Sequence, residues 1–232
     1  MDMTRKSKAR YGLNRTYRIN PAVKALRNAL FAGITVAAIA PGAQAACVEV
    51  GNTVTCSGIF TGTLTSGGDL LVSLPFDPAT VILDDTTVIT ALGGGVNAFN
   101  SNDLTIISDA IIDAYGPGYV AGINALSQFG DTSVTNNGTI SAYSYGAGAS
   151  GIVAASSYND VSVANNGSIE AEALGSAYGI LAISQYGDSS IANDGSISAS
   201  AYNGDAYGIL ALAQYGDISI SNGSAGTIEA VS

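Results

Sequence analysis

The chain has 232 residues, 47% of them hydrophobic in type, with 18 acidic and 8 basic side chains and no histidine. All eight basic residues, Arg5, Lys6, Lys8, Arg10, Arg15, Arg18, Lys24 and Arg27, precede position 45, and only Asp2 among the acids does. The remainder carries seventeen carboxylates and no cation, which excludes phosphate-backbone recognition, and with it nucleic-acid binding, and leaves no basic cluster for anionic lipid headgroups.

Residues 1–45 read as an export leader. The basic stretch runs into an apolar segment, Ala29 to Ala40, far short of the ~20 residues a membrane span requires. Pro41-Gly42 and the small residues of "AQA" follow, so cleavage is expected between Ala45 and Ala46. The stretch "LNRTYRINPAVKALRNALFAG" resembles the extended signal peptide of Gram-negative type V secretion substrates, in which an Asn-Arg-x-Tyr-Arg start precedes the usual basic region. "QAAC" raises lipidation of Cys47, against which Gln44 stands where an apolar residue is expected.

Cys47 and Cys56 lie in "CVEVGNTVTC", where two β-prone runs flank Gly51-Asn52, a hairpin turn signal. A disulfide across that hairpin suits an oxidising compartment and stabilises by about 2.5–3 kcal/mol on loop-entropy grounds. A metal site needs more than two thiols, and histidine is absent. Residues 46–94 do not follow the pattern seen further on, and with Pro75 and Pro78 they read as a β cap with one or two atypical rungs.

From Gly95 to Ser232 the chain repeats. Units begin at Gly95, Gly122, Gly151, Gly179 and Gly208, the last three intervals being 29, 28 and 29 residues. Self-similarity at this period marks stacked units that bury apolar faces against one another. Within each unit the apolar period is two. One run carries Ile180, Ala182, Ser184 and Tyr186 on one parity, with Ile123, Ala125, Ser127 and Phe129 as the earlier counterparts. A second short strand ends on Asn136, Asn165, Asn193 or Asn222, and a third holds Ile140-Ser-Ala142 and its equivalents. Gly-Asp or Asn-Asp, then Asn-Gly or Asp-Gly, then a looser Gly/Ser/Tyr stretch mark three corners, and "NGSAG" adds two residues in the last unit.

Three strands and three corners per unit predict an all-β fold, a single-stranded parallel β-helix of about five rungs of 27–29 residues behind an N-terminal cap. Each strand would then pair with its equivalent one rung on, at ~4.8 Å, so that Asn136, Asn165, Asn193 and Asn222 form an amide ladder. Phe129, Tyr158, Tyr186 and Tyr215 would form an aromatic column, suited to core or corner packing and, as a second role, to stacking carbohydrate. Antiparallel propeller blades fit less well, since blades need ~40 residues and four strands. The heptads of a coiled-coil adhesin stalk do not occur. A cap at the far end is not expected, because Ser232 falls partway through a unit.

The leader, "ACVEVGNTVTCSG" and the "S-[VI]-x-N-[ND]-G-[ST]-I-x-A" repeat together resemble the passenger region of a Gram-negative bacterial autotransporter. The resemblance implies a β-helical adhesin or structural surface fibre, secreted across the inner membrane and displayed at the outer membrane or released. It further implies a C-terminal outer-membrane barrel as translocator, which these residues do not include; with no barrel attached, the destination would be the periplasm. The partner implied is a glycan or protein on a host or neighbouring cell.

Chemistry is sparse. Ser-His-Asp and Ser-Lys catalysis need bases that are missing after the leader, as does the basic residue that β-helical polysaccharide lyases commonly use. Paired carboxylates, Asp84/Asp85 or Glu170/Glu172, are the remaining catalytic kit, and glycoside hydrolysis needs only two. Asp131, Asp160, Asp188 and Asp217 recur at one corner and suggest a calcium ladder, though one acid per corner is thin for six to eight oxygen ligands and Gly-Asp turns account for them. The sequons at Asn137, Asn166 and Asn222 read as turns. No cofactor, metal or catalytic residue is assigned, and a non-enzymatic surface protein is expected. A carbohydrate-active enzyme and a passive spacer are its rivals.

Overall fold

The computed structural model describes residues 46–61, 70–73 and 79–232. Residues 1–45, the segment expected as a leader, lie outside them, as do Pro75 and Pro78. The described residues hold strands and turns and no helix. Strands are numbered in chain order and fall into three sheets. Sheet A comprises β1 (Ala46–Val50), β2 (Thr53–Ser57), β5 (Ala79–Leu83), β8 (Leu104–Ser108), β11 (Thr132–Asn136), β14 (Val161–Asn165), β17 (Ser189–Asn193) and β20 (Ile218–Asn222), adjacent in that order. Sheet B comprises β3 (Ile59–Thr61), β6 (Val88–Leu92), β9 (Ile111–Gly116), β12 (Thr139–Ser144), β15 (Ser168–Ala173), β18 (Ser196–Ala201) and β21 (Thr227–Val231). Sheet C comprises β4 (Leu70–Ser73), β7 (Val96–Asn100), β10 (Val120–Ser127), β13 (Ala149–Ser156), β16 (Ala177–Ser184) and β19 (Ala206–Ala213).

The chain visits A, B and C in rotation, and every strand from β2 onward pairs in parallel with its equivalent one turn on, for about six turns. This is the parallel β-helix that the period of 28 or 29 residues predicts. Strands β2 to β6, from the segment expected as cap, already belong to the three sheets. Only β1 departs, folding back antiparallel on β2 and ending the parallel ladder of sheet A. Cys47 faces Cys56 directly across that pair, and the two form a disulfide with Cα atoms 4.0 Å apart.

The core follows from the register. Ile140, Ile169 and Ile197 stack in sheet B, Val134, Val163 and Ile191 in sheet A, and Ile123, Ile152 and Ile180 in sheet C, all buried. A thinner second core, made almost wholly of alanine, lies where the ends of sheet B strands meet the starts of sheet C strands; Ala142, Ala149, Ala173 and Ala177 are among its members.

Two glycine columns explain why the phrase repeats with glycine at fixed points. In β16 the in–out alternation slips by one, since Gly179 and Ile180 are both buried. A Cβ on Gly179 would stand 2.2 Å from Cγ2 of Ile197, and one on Gly151 would stand 2.1 Å from Cγ2 of Ile169. At the next corner, a Cβ on Gly138, Gly167 or Gly195 would meet a carbonyl oxygen of the preceding turn at 2.0 Å or less. The repeated Asn-Gly corners therefore need glycine for close approach between turns. Among the described glycines, positive φ is found at Gly51, Gly58 and Gly93, of which Gly51 turns the true hairpin at φ 60°.

Buried beside those corners, Asn136 donates through Nδ2 to Asn165 Oδ1 at 2.8 Å. Asn165 donates likewise to Asn193, and Asn193 to Asn222, each at 2.7 Å. The ladder's first acceptor, Asn136 Oδ1, has no partner, because the equivalent position one turn earlier is Ser108, whose own hydroxyl is also unpartnered. Replacing Asn165 by Ala removes an acceptor from Asn136 and a donor from Asn193 in a site closed to water. A loss of about 2–4 kcal/mol is expected in denaturant unfolding. Asn166→Ala, on the exposed side of the same corner, should cost no more than about 0.5 kcal/mol.

Candidate interaction surface

Because side chains alternate along each strand, every sheet offers an outer face whose columns repeat one position per turn. The three faces differ in chemistry. On sheet A the outward columns of the regular repeats are hydroxylated and small: Ser133, Ser162, Ser190 and Ser219 form one, and Thr135, Ala164, Ala192 and Ser221 the other, which continues from Ile82 and Ile107 in the earlier turns. On sheet B they carry acids among hydroxyls: Ser141, Glu170, Ser198 and Glu229, then Tyr143, Glu172, Ser200 and Val231. On sheet C they turn apolar. Asn97 and Asn124 are followed by Val153, Leu181 and Leu210, and the neighbouring column reads Phe99, Leu126, Ala155, Ile183 and Leu212.

The small side chain of Ala155 breaks the second apolar column. A shallow groove of about 650 Å³ runs there, with Leu126, Ile183 and Leu212 in its lining and Gln185 and Gln214 at its edge. None of β7, β10, β13, β16 and β19 contains a carboxylate. Alternation alone does not reveal the apolar outer columns, yet a signal for them exists: "ILAI" at 180–183 is apolar on both parities, whereas the repeat strands of sheets A and B mostly alternate apolar with small, hydroxylated or acidic residues.

Phe129, Tyr158, Tyr186 and Tyr215 stand just beyond the ends of the sheet C strands. Their rings are stacked, with centroids 5.3, 5.3 and 5.0 Å apart and interplanar angles of 22°, 9° and 7°. They are 52%, 51%, 49% and 67% exposed, so the column packs the corner and stays out of the core. Extending the strand's parity to Tyr186 fails because β16 ends at Ser184, whose hydroxyl accepts from the Gly187 amide and donates to the Asn159 carbonyl. The inner rings, Tyr158 and Tyr186, each have a neighbouring ring against both faces. Their edges and hydroxyls meet solvent, so face-on sugar stacking is open only at the column's ends. A second rail borders the opposite side of sheet C, where Tyr178 and Tyr207 stack at 5.4 Å and Tyr119 reaches the Ser150 hydroxyl. Burial pushes the Tyr119 hydroxyl above its ordinary pKa.

The recurring aspartates serve the chain itself. Asp103, Asp131, Asp160 and Asp188 each accept, through Oδ1, the backbone amide of the aspartate one turn later, at 3.0, 3.2, 2.8 and 2.8 Å. Among the described residues no group of three or more acids or cysteines is placed to hold a metal ion. Glu170 and Glu172 lie on the flat outer face of sheet B, on the same parity of one strand. Asp84 accepts hydrogen bonds from the Thr86 hydroxyl at 2.7 Å and the Thr87 hydroxyl at 3.0 Å. These bonds, the one from Thr86 foremost, hold its carboxyl below the ordinary carboxylate pKa, which suits an acceptor in a tight turn and opposes a proton donor.

Compared with family models, with curated proteins and with solved structures, the chain finds no match.

Two changes test these assignments. Tyr186→Ala removes a ring stacked on two neighbours and should cost about 1–3 kcal/mol of stability, read by urea unfolding, while leaving the strand signal in circular dichroism intact. A lowered pKa at Asp84 means its stabilising effect is complete above the unfolded value near 3.8 and disappears as pH falls through the folded value. Asp84→Ala should therefore destabilise at pH 7, by under about 1 kcal/mol at so exposed a site, and the gap to the parent protein should close as pH falls below the ordinary carboxylate range.

Proposed function

We propose that the chain is an exported, autotransporter-type β-helical passenger that makes distributed, non-catalytic contacts at a cell surface, as an adhesin or a structural surface fibre. The observation that carries this reading is the outer face of sheet C, where apolar columns and flanking aromatic rails repeat on successive turns. A face of this kind enlarges with each turn and presents the same side chains again, which is how contact is made by summation over many equal elements. The basic leader, the "AQA" cleavage signal and the disulfide across the first hairpin agree with export into an oxidising compartment. The uniformly acidic remainder keeps such a chain soluble outside the cell.

Expression of the full coding sequence in a Gram-negative host should yield a product whose N-terminus is Ala46 by mass spectrometry. Beads coated with that product should retain host or neighbouring cells. Removing one whole unit, 151–178, should weaken retention in graded fashion, since each turn contributes alike. No retention of any cell type would favour the spacer. Turnover of a glycan that is lost in Glu170→Gln or Asp85→Asn would favour the enzyme.

A further inference from the structure

Strands β7, β10, β13, β16 and β19 carry no carboxylate, and their outer face is apolar at Phe99, Leu126, Val153, Leu181, Ile183, Leu210 and Leu212, with Asn97 and Asn124 in the first two rows. We infer that this face is a self-recognition surface, on which a second copy of the chain docks face to face. Three observations converge on a second copy as occupant.

The first is the pattern of the strands themselves. Strands covered on one face alternate apolar with polar residues, and strands covered on both read as continuous apolar runs. In sheets A and B the strands of the regular repeats largely follow the first pattern, apolar Ile82, Ile107 and Ile111 of the earlier turns excepted, and β13, β16 and β19, with "GIVAA", "GILAI" and "GILAL", have the second. The inner side of those runs already packs in the core, and the outer side, with Val153, Leu181 and Leu210, is only half-buried.

The second is spacing. Rows on this face are one strand apart, ~4.8 Å, over five consecutive turns. Ridges at that interval interdigitate with a surface ruled at the same interval, which another sheet face supplies and a helix does not. Ala155 adds a hole between the Leu126 and Ile183 ridges, part of the shallow groove of about 650 Å³, which side chains of an opposing copy can enter.

The third is charge and area. Residues 46–232 hold seventeen carboxylates and no cation, which makes two copies repel, but no carboxylate lies on the five strands of this face, so the docked arrangement buries none. Five strands of up to eight residues give a face of roughly 600 Å², or about 1,200 Å² for a pair, the lower bound of a specific interface. The association is thus a reversible one.

The inference does not depend on display at a cell surface, and its test is made in solution, so the two readings fail separately. The protein, produced from its full coding sequence, is studied by sedimentation equilibrium at 50 and 500 mM NaCl. A monomer–dimer equilibrium is expected that tightens several-fold at the higher salt, as screening removes the repulsion between copies. Leu181→Asn with Ile183→Ala installs side chains that the same two columns already hold at Asn124 and Ala155, so the fold is kept, as the circular dichroism spectrum and melting temperature will show. This variant should weaken association at least about 10-fold. Ala155→Leu, a side chain native to that column at Leu126 and Leu212, fills the hole and should also weaken association, although it adds apolar surface. A monomer at every concentration overturns the proposal. So does a dimer indifferent to the double variant, which would place the contact at strand edges, or one tightened by Ala155→Leu, which would mark unspecific adhesion of apolar surface.

Discussion

Every buried group in the repeating turns lies beneath a copy of its own position. A parallel ladder with one strand per sheet per turn puts equivalent residues ~4.8 Å apart along the axis, and the described interior follows that rule throughout. Most interior columns are therefore filled by side chains that pack well against themselves, the buried column of Thr132, Val161 and Ser189 excepted. Isoleucine and valine do so, stacking branch over branch; alanine does so where two sheets converge too closely for anything larger. Asparagine does so because an amide is both donor and acceptor, so that one residue's donor meets the next one's acceptor. A carboxylate in the same buried column would accept at both ends and donate at neither. The aspartates are accordingly at the exposed corners, where each takes a backbone amide from the turn that follows.

The same rule explains which features are legible in the amino-acid sequence and which are not. Period, strand number and the identity of the ladder residues are direct consequences of stacking, and they show in the letters at Gly122, Gly151, Gly179 and Gly208 and at the four asparagines. The hairpin at Cys47 and Cys56 is legible for a different reason, since a turn and its two flanking strands are local. Other features are hidden. Nothing in "YGILAISQYGD" says that the parity ends at Ser184 and that Tyr186 lies outside; that depends on where the corner begins. The slip at Gly179 arises from the crowding of Ile197, eighteen residues away along the chain but across a shared core. The apolar outer face of sheet C is in plain view as letters, yet an apolar residue on the second parity reads as core until the first parity has filled it.

Conflict between local and collective preference is informative in one place. Asn-Gly favours a two-residue hairpin, and in isolation each corner would turn that way. Here the corner glycines take no positive φ; they are selected by the carbonyl of the neighbouring turn, which leaves no room for a Cβ. Repetition has converted a turn residue into a spacing residue. The genuine hairpin, at Gly51, stands where repetition has not yet begun.

The asparagine ladder also has a polarity. Each amide points its nitrogen toward the later turn, so three successive bonds run head to tail and their dipoles add. A unit copied in tandem within the gene would enter this series without altering it, since it brings one donor for the acceptor ahead and one acceptor for the donor behind. Heredity can therefore lengthen or shorten the molecule by whole units at almost no energetic penalty, and natural variation among such proteins should be greater in the number of turns than in the make-up of any one of them.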